Sequence, residues 1–182
     1  MKKIITVMMS VVLALGVFAG CSSADGEKEN PGNASNVTLE EIHTAVKEAY
    51  GENYLPNMEI PADILEAEFG LTKDLYAEVK AEQPMISTHV DRVVIVKAAE
   101  GKADAVEEAL VEAREKKVND TMQYPMNLAK IAASKVLRNG DYVAFLMVGA
   151  INDAAEVTEE DAKEFAENEA EKGVEAFNNL FK

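Results

Sequence analysis

The sequence has no tryptophan, one cysteine and two histidines in 182 residues, and only 6% of its residues are aromatic. A single cysteine excludes an intramolecular disulfide. Together with two histidines it cannot supply the four nitrogen or sulfur ligands of a structural zinc site, so we expect no bound metal and no cofactor. The core must therefore be built from aliphatic side chains and methionine, within the 48% of residues that are hydrophobic.

Basic residues are also scarce, with 18 Lys and Arg against 33 Asp and Glu, which gives a formal net charge of −15. A surface of this sign repels phosphate, which argues against nucleic acid as a partner. It is also repelled by anionic lipid headgroups, so we expect the folded part to stand off any membrane that holds it.

The N-terminus carries the features of an export signal. Two lysines precede an apolar run over residues 4–18, which is shorter than the roughly 20 residues of a spanning helix. Two small residues then lead to Cys21, as is typical of a secretory signal. The segment resembles the lipobox of bacterial lipoproteins, in which the cysteine is lipidated and becomes the new N-terminus. Phe18 stands where leucine is usual. We expect a lipid anchor on Cys21 and a location on the extracytoplasmic face of the cell membrane.

A change in composition at residue 37 marks the start of the folded part. Residues 22–36 contain no large apolar side chain, so they cannot join a core and are expected to be disordered. As a flexible coil they would span about 20 Å. The sequence therefore predicts a signal peptide over residues 1–20, a lipidated cysteine and tether over residues 21–36, and a single α+β domain over residues 37–182.

Capping residues and apolar periodicity predict the helices. Thr38 and Glu41 form a capping box at the start of an N-terminal helix that Gly51 ends. His43 lies on the flank of this helix and is expected to be solvated. Three further helices are predicted, beginning after Pro61, at Ala103 and at Thr158.

The strands are predicted from β-branched and alternating residues. Val90–Ala98 is one strand. Two more, Ser134–Leu137 and Tyr142–Val148, are joined at Asn139-Gly140, a strong hairpin signal. The periodicity of residues 76–82 fits both a helix and a strand. The predicted fold is α+β, with a small, mostly antiparallel sheet of three to four strands packed by amphipathic helices, including an N-terminal and a C-terminal helix.

Five short motifs point to a family. They are Glu82-Gln83-Pro84-Met85-Ile86-Ser87, His89-Val90-Asp91, Val96-Lys97-Ala98, Gln123-Tyr124-Pro125-Met126-Asn127 and Gly140-Asp141-Tyr142-Val143. Through these motifs and the lipobox, residues 55–149 resemble a bacterial lipoprotein family known as domain of unknown function 4358. The resemblance implies an exported, anchored, small α+β domain without known activity or catalytic residues. It also favours a strand at residues 76–82.

Two irregular segments, residues 85–91 and 123–127, combine apolar and hydrogen-bonding side chains. Each leads toward a predicted strand, so the two could meet at one end of a sheet and form a pocket. The candidate binding residues are His89, Asp91, Tyr124 and Asn127, above an adaptable floor of Met85, Met122 and Met126. In the alternative interpretation the prolines only shape turns, and Tyr124 and Met126 fill the edge of the core.

The expected function is that of a non-catalytic binding module or an accessory subunit. Its partner would be a protein, a wall polymer or a small molecule. The alternative is a small cell-envelope hydrolase, for which Ser87, His89 and Asp91 are the available set. These three side chains would share a face if they lay on one strand.

Overall fold

The computed structural model describes residues 37–154 and 156–182, so the predicted signal peptide, Cys21 and tether lie outside the described residues. The described residues form five α-helices and five β-strands, in the order α1 (Leu39–Tyr50), β1 (Met58–Glu59), α2 (Ala62–Phe69), β2 (Tyr76–Gln83), β3 (Arg92–Ala98), α3 (Ala103–Val118), α4 (Leu128–Ala133), β4 (Lys135–Asn139), β5 (Tyr142–Met147) and α5 (Glu159–Asn179). None of the helices in this part of the chain is long and apolar enough to cross a bilayer.

The helices begin where the capping residues predict. The Thr38 hydroxyl accepts a hydrogen bond from the backbone N–H of Glu41, whose carboxylate accepts one from the N–H of Thr38. Thr158 and Asp161 form the same reciprocal box before α5. Each box satisfies backbone donors that a helix start leaves without an intrahelical partner. Gly70 ends α2 in the left-handed conformation, with φ of 68°.

The five strands form one antiparallel sheet in the order β1-β2-β3-β5-β4. Residues 76–82 therefore lie in a strand, β2. The predicted hairpin joins β4 to β5, but Asn139 pairs with Tyr142, so the two turn residues are Gly140 and Asp141. The turn lies one residue later than predicted, and Gly140 supplies a positive φ of 56°.

The prediction of three to four strands is too low because it misses β1. This strand pairs Met58 with Gln83 and Glu59 with Glu82, at the end of β2. It is two residues long and both side chains are exposed. Such a short stretch shows no alternation of apolar and polar residues, so the sequence around Pro56 and Asn57 predicts only a loop.

Helices cover both faces of the sheet. Val94, Val96 and Phe145 pack on one face against α2 and α3, and Val93 and Ile95 pack on the other against α1 and α5. All five side chains are fully buried. Double coverage explains why the central strands have continuous apolar runs and do not alternate with polar residues.

The antiparallel strands give the sheet two distinct ends. Gln83, Arg92 and Met147 lie at one end, which we call the Arg92 end. At the other end the Tyr142 hydroxyl donates a hydrogen bond to the backbone carbonyl of Val37. The length of β5 separates the two ends by about 17 Å.

Candidate functional site

The two irregular segments meet at the Arg92 end of the sheet. The Asn127 amide donates to the Thr88 carbonyl at 3.4 Å, and the Lys130 ammonium reaches the Asp91 carboxylate. A third segment joins them, because the Met85 N–H donates to the side-chain oxygen of Asn57 at 3.1 Å. The loops that flank β1 and β3 and the start of α4 are thereby held in one place.

The strongest contact at this junction is the ion pair between Asp91 and Lys130. The ammonium lies 2.9 Å from Oδ1 and 3.0 Å from Oδ2, and the two residues are 0% and 5% exposed. Asp91 immediately precedes β3, and Lys130 lies in the middle of α4. A buried charge without its partner would cost several kcal/mol, so the pair fixes α4 against the sheet. Asp91 has this positioning role and is closed to solvent.

The four candidate binding residues differ in how far their side chains are exposed to solvent. Asn127 is buried like Asp91, and His89 is half-buried. Tyr124 alone is open to solvent, with 61% of its surface exposed. The two segments are thus brought together, but only Tyr124 and part of His89 are presented at the surface.

The positions of the three loop methionines differ from those expected in both interpretations of the sequence. Met85, Met122 and Met126 are 72%, 88% and 65% exposed. Met85 and Met122 therefore do not form the floor of a pocket, and Met126 lines only an open groove and does not fill the edge of the core. The faces of β3 and β5 are already covered by apolar residues of the two cores, which leaves these loop side chains outside.

The side chains of Ser87, His89 and Asp91 would share a face only if they lay on one strand. The structure has a turn there, and β3 begins only at Arg92, so the period-two argument does not apply. The Asp91 carboxylate is bound by Lys130. In the described parts of the chain, no group of three or more His, Cys, Asp or Glu side chains is placed to hold a metal ion.

Exposed apolar side chains are concentrated at the Arg92 end. The described residues expose ten large apolar side chains, and nine of them belong to segments that meet there. They are Leu55, Met58, Met85, Ile86, Val118, Met122, Tyr124, Met126 and Leu128, and we call this surface the apolar end. The tenth is Val111, on α3. Val118 is included because the end of α3 lies near Arg92: the adjacent Lys117 shares Glu68 with Arg92, at 3.2 and 3.4 Å.

A groove of about 230 Å³ opens beside the apolar end, between α4 and the start of α5. Its apolar lining includes Pro125, Met126, Ala129, Ala162 and Phe165. A more open depression of about 360 Å³ adjoins it and shares some of the same residues. The polar side chains around the two spaces include Asn152, Glu156, Thr158, Glu159, Asp161 and Glu164.

A family model described as Domain of unknown function (DUF4358) matches residues 49–148. The chain belongs to this family. No curated protein and no solved structure matched the chain. The DUF4358 span contains all five strands, the Asp91–Lys130 pair and the Tyr124–Met126 loop. It ends before α5, so one wall of the groove lies outside the part that matches DUF4358.

A second buried polar cluster joins α1 to the sheet, and it corrects the prediction for His43. His43 is buried, with Nε2 at 3.1 Å from both the Tyr54 hydroxyl and Glu82 Oε2. Tyr54 also donates to Glu82 at 3.1 Å. Burial, followed by the negative charge of Glu82, raises the pKa of Tyr54. The prediction of a solvated His43 is wrong because Glu82, at the end of β2, supplies a partner beneath α1.

The residues that the sequence did not reveal are Lys130, Tyr54 and Glu82. One signal for Lys130 was present: it stands in the run Leu-Ala-Lys-Ile-Ala-Ala, where every neighbour is apolar. A lysine inside such a helix is rarely buried unless it has an acidic partner. Nothing in the sequence, however, identifies Asp91 as that partner.

Proposed function

We propose that this protein is an extracytoplasmic lipoprotein, anchored through a lipid on Cys21, that binds a protein partner through its apolar end. The anchor is supported by the basic start, the short apolar run and the small residues before Cys21. The binding role is that of a non-catalytic module or accessory subunit. The set Ser87, His89 and Asp91 is disfavoured as a hydrolase site, because the Asp91 carboxylate is bound to Lys130.

The observation that carries this proposal is the distribution of exposed apolar side chains. Single exposed apolar residues scattered over a surface are ordinary. Here nine of the ten in the described residues lie at one end of the sheet. Concentrated apolar surface on a soluble domain marks an interaction site. Four methionines, with flexible and polarizable side chains, suit a surface that adapts to the shape of a partner.

The chemistry of the surface favours a protein over a lipid or a wall polymer. The net charge of −15 disfavours anionic lipid headgroups. Among the nine side chains of the apolar end, only Tyr124 carries a hydroxyl group. A polysaccharide would lose hydration at such a surface without gaining compensating hydrogen bonds. An apolar patch on another protein loses few hydrogen bonds to water, and the burial of both apolar surfaces stabilises the complex.

Site-specific photo-crosslinking in the producing cell tests this function. A photoreactive residue at position 122 or 126 reports on the apolar end, and one at exposed Glu100 reports on the opposite end. We expect a discrete protein adduct from positions 122 and 126 and none from position 100. Equal adducts from both ends, or none from positions 122 and 126, would contradict the proposed surface.

The anchor has its own test. Cys21→Ala should release the protein from the membrane fraction or leave it unprocessed. A variant that is cut and fractionates like the wild type would contradict lipidation, whatever the crosslinks show.

A further inference from the structure

We infer, on the basis of the proposed function, that the groove between α4 and α5 receives a basic amphipathic segment of the partner protein. An apolar side chain of that segment enters the groove, and lysine or arginine side chains beside it pair with carboxylates on the rim. The inference rests on the shape of the groove, the charge around it and its continuity with the apolar end.

The size and lining of the groove suit one large apolar side chain. Ala129, Ala162 and Ala166 line it, and their small side chains leave the space between α4 and α5 open. Phe165 and Val157 add apolar surface. An apolar cavity of about 150 Å³ is large enough to bind benzene. The space of about 230 Å³ therefore accommodates a leucine or phenylalanine side chain.

The rim is strongly acidic. Residues 153–167 contain seven carboxylates and one lysine. Of these carboxylates, Glu159 lines the groove, and Glu156, Asp161 and Glu164 line the adjoining depression. Lys163 lies 3.9 Å from Glu167, an exposed pair that leaves the remaining carboxylates uncompensated. Acidic residues in the first turn of α5 are partly explained by the positive end of the helix. That explanation does not extend to Glu156, before the helix, or to Glu164, beyond its first turn; both line the adjoining depression.

The groove is continuous with the proposed binding surface. Met126 lines the groove and is also one of the nine exposed side chains of the apolar end. A partner segment in the groove would therefore extend the same interface. Charge complementarity at its rim would speed association and make binding sensitive to salt.

Three short synthetic peptides of equal length provide the probes. The first alternates lysine with leucine and phenylalanine, the second replaces each lysine by glutamate, and the third replaces each apolar residue by serine. Binding to the full-chain protein in phosphatidylcholine nanodiscs is measured by fluorescence anisotropy, with empty nanodiscs as the blank. We expect only the basic apolar peptide to bind.

Two variants connect binding to the groove. Ala162→Trp fills the apolar space and should weaken binding on the order of tenfold, as for loss of a central anchor. Glu156→Gln with Glu164→Gln should weaken it about two- to fivefold and reduce its salt dependence. Glu171→Gln with Glu175→Gln makes the same charge change at exposed positions farther along α5 and should have no effect.

Several outcomes would overturn the inference. They are equal binding of the acidic peptide, equal binding of the serine peptide, and unchanged binding by Ala162→Trp. Displacement of a groove-bound apolar dye by a fatty acid and not by the basic peptide would assign the groove to a lipid instead. If the peptide tests fail in these ways while the crosslinks at positions 122 and 126 persist, the groove inference fails and the proposed function stands. Absence of those crosslinks when Ala162 is unchanged would contradict the proposed function itself.

Discussion

The Lys130 ammonium lies within 3.0 Å of both carboxylate oxygens of Asp91, a residue 39 positions earlier in the chain, and both side chains are buried. The pair joins α4 to the start of β3, because Asp91 immediately precedes that strand. The loop that carries Tyr124 and Met126 ends at α4, so its position depends on this contact. The ion pair therefore holds the apolar end in position, although neither of its side chains is exposed at that surface.

Removing one partner of this pair should strongly destabilise the fold. Lys130→Met leaves the Asp91 carboxylate buried and unpaired, and we expect a loss of about 3–5 kcal/mol in the free energy of unfolding. The double variant Asp91→Leu with Lys130→Met should recover most of this loss, because it buries no charge. Urea unfolding measures both.

The exposed pair Lys116–Glu112, at 3.7 Å, is the matched control. Lys116→Met should change the free energy of unfolding by at most about 0.5 kcal/mol. A double Asp91/Lys130 variant no more stable than Lys130→Met alone would contradict the explanation by an unpaired charge.

Gly173 lies where α5 crosses Tyr50, and replacing it with alanine should destabilise the protein. A Cβ there would lie 2.6 Å from the Tyr50 hydroxyl oxygen and 2.9 Å from Leu146 Cδ1. Alanine is favoured over glycine within a helix by about 1 kcal/mol, but steric overlap of this kind costs about 1–3 kcal/mol. Thermal unfolding of Gly173→Ala should therefore show a lower Tm, and a raised Tm would contradict the close approach.

Tyr50→Phe tests the same contact from the other side. The Tyr50 hydroxyl is buried beside the Gly173 backbone, but no group in the described residues is placed to form a well-aligned hydrogen bond with it. Removing it should leave stability unchanged or raise it by about 1 kcal/mol, since an unsatisfied buried donor is lost. Gly173→Ala should also cost less in this background, because the shortest overlap is gone. Equal costs in the two backgrounds would show that the hydroxyl is not the obstacle.

Alkaline pH should unfold the protein through its buried tyrosines. Burial raises the pKa of Tyr50 and of Tyr54, and nearby carboxylates raise both further, while the Gly173 backbone opposes this for Tyr50. In the unfolded chain a tyrosine ionises near pH 10. The two tyrosines thus stabilise the fold fully below about pH 10, and this contribution falls as the pH rises above that value.

Tyrosinate absorbance provides the measurement. Of the five tyrosines, Tyr50 and Tyr54 should ionise only together with unfolding, which circular dichroism follows in the same samples. The amplitude of this late step should fall in Tyr50→Phe and in Tyr54→Phe. Ionisation of all five tyrosines while the fold remains intact would contradict the prediction.

The cluster of His43, Tyr54 and Glu82 should depend on its carboxylate. Glu82→Ala removes the acceptor that both partners share, and we expect a loss of about 1–3 kcal/mol in the free energy of unfolding. Glu82→Gln keeps an amide oxygen that can accept from Tyr54, so its loss should be smaller. Glu78→Ala, at an exposed position on the same strand, is the control for the change of charge. Equal losses at positions 78 and 82 would contradict a specific role for the cluster.

Local signals made much of the fold predictable from the sequence. The capping boxes at Thr38 and Thr158 act within three residues, so the helix starts could be read directly. The hairpin was predictable because Gly140 is needed in the turn itself. β1 was not, because its two residues are held by pairing with Gln83 and Glu82, far along the chain, and carry no pattern of their own.

The candidate site was predictable only as a location. Residues 85–91 and 123–127 each lead toward a predicted strand, so they could meet if those strands shared a sheet, and they do meet. Which side chains face solvent depends on how β3 and β5 fill the two cores, and local patterns in the sequence do not show this. For this reason Met122 and Met126 are exposed although both are apolar, and Asp91 is buried although it is charged.

The hydrogen bond from Tyr142 to the Val37 carbonyl fixes where the chain enters the described fold. That entry point lies at the end of β5 opposite the apolar end. A label, bead or sensor surface coupled through the N-terminal segment therefore leaves Met85, Met126 and the mouth of the groove facing the solution. Immobilisation through α5 would instead crowd the groove, so the two coupling schemes should give different apparent capacities for the same ligand.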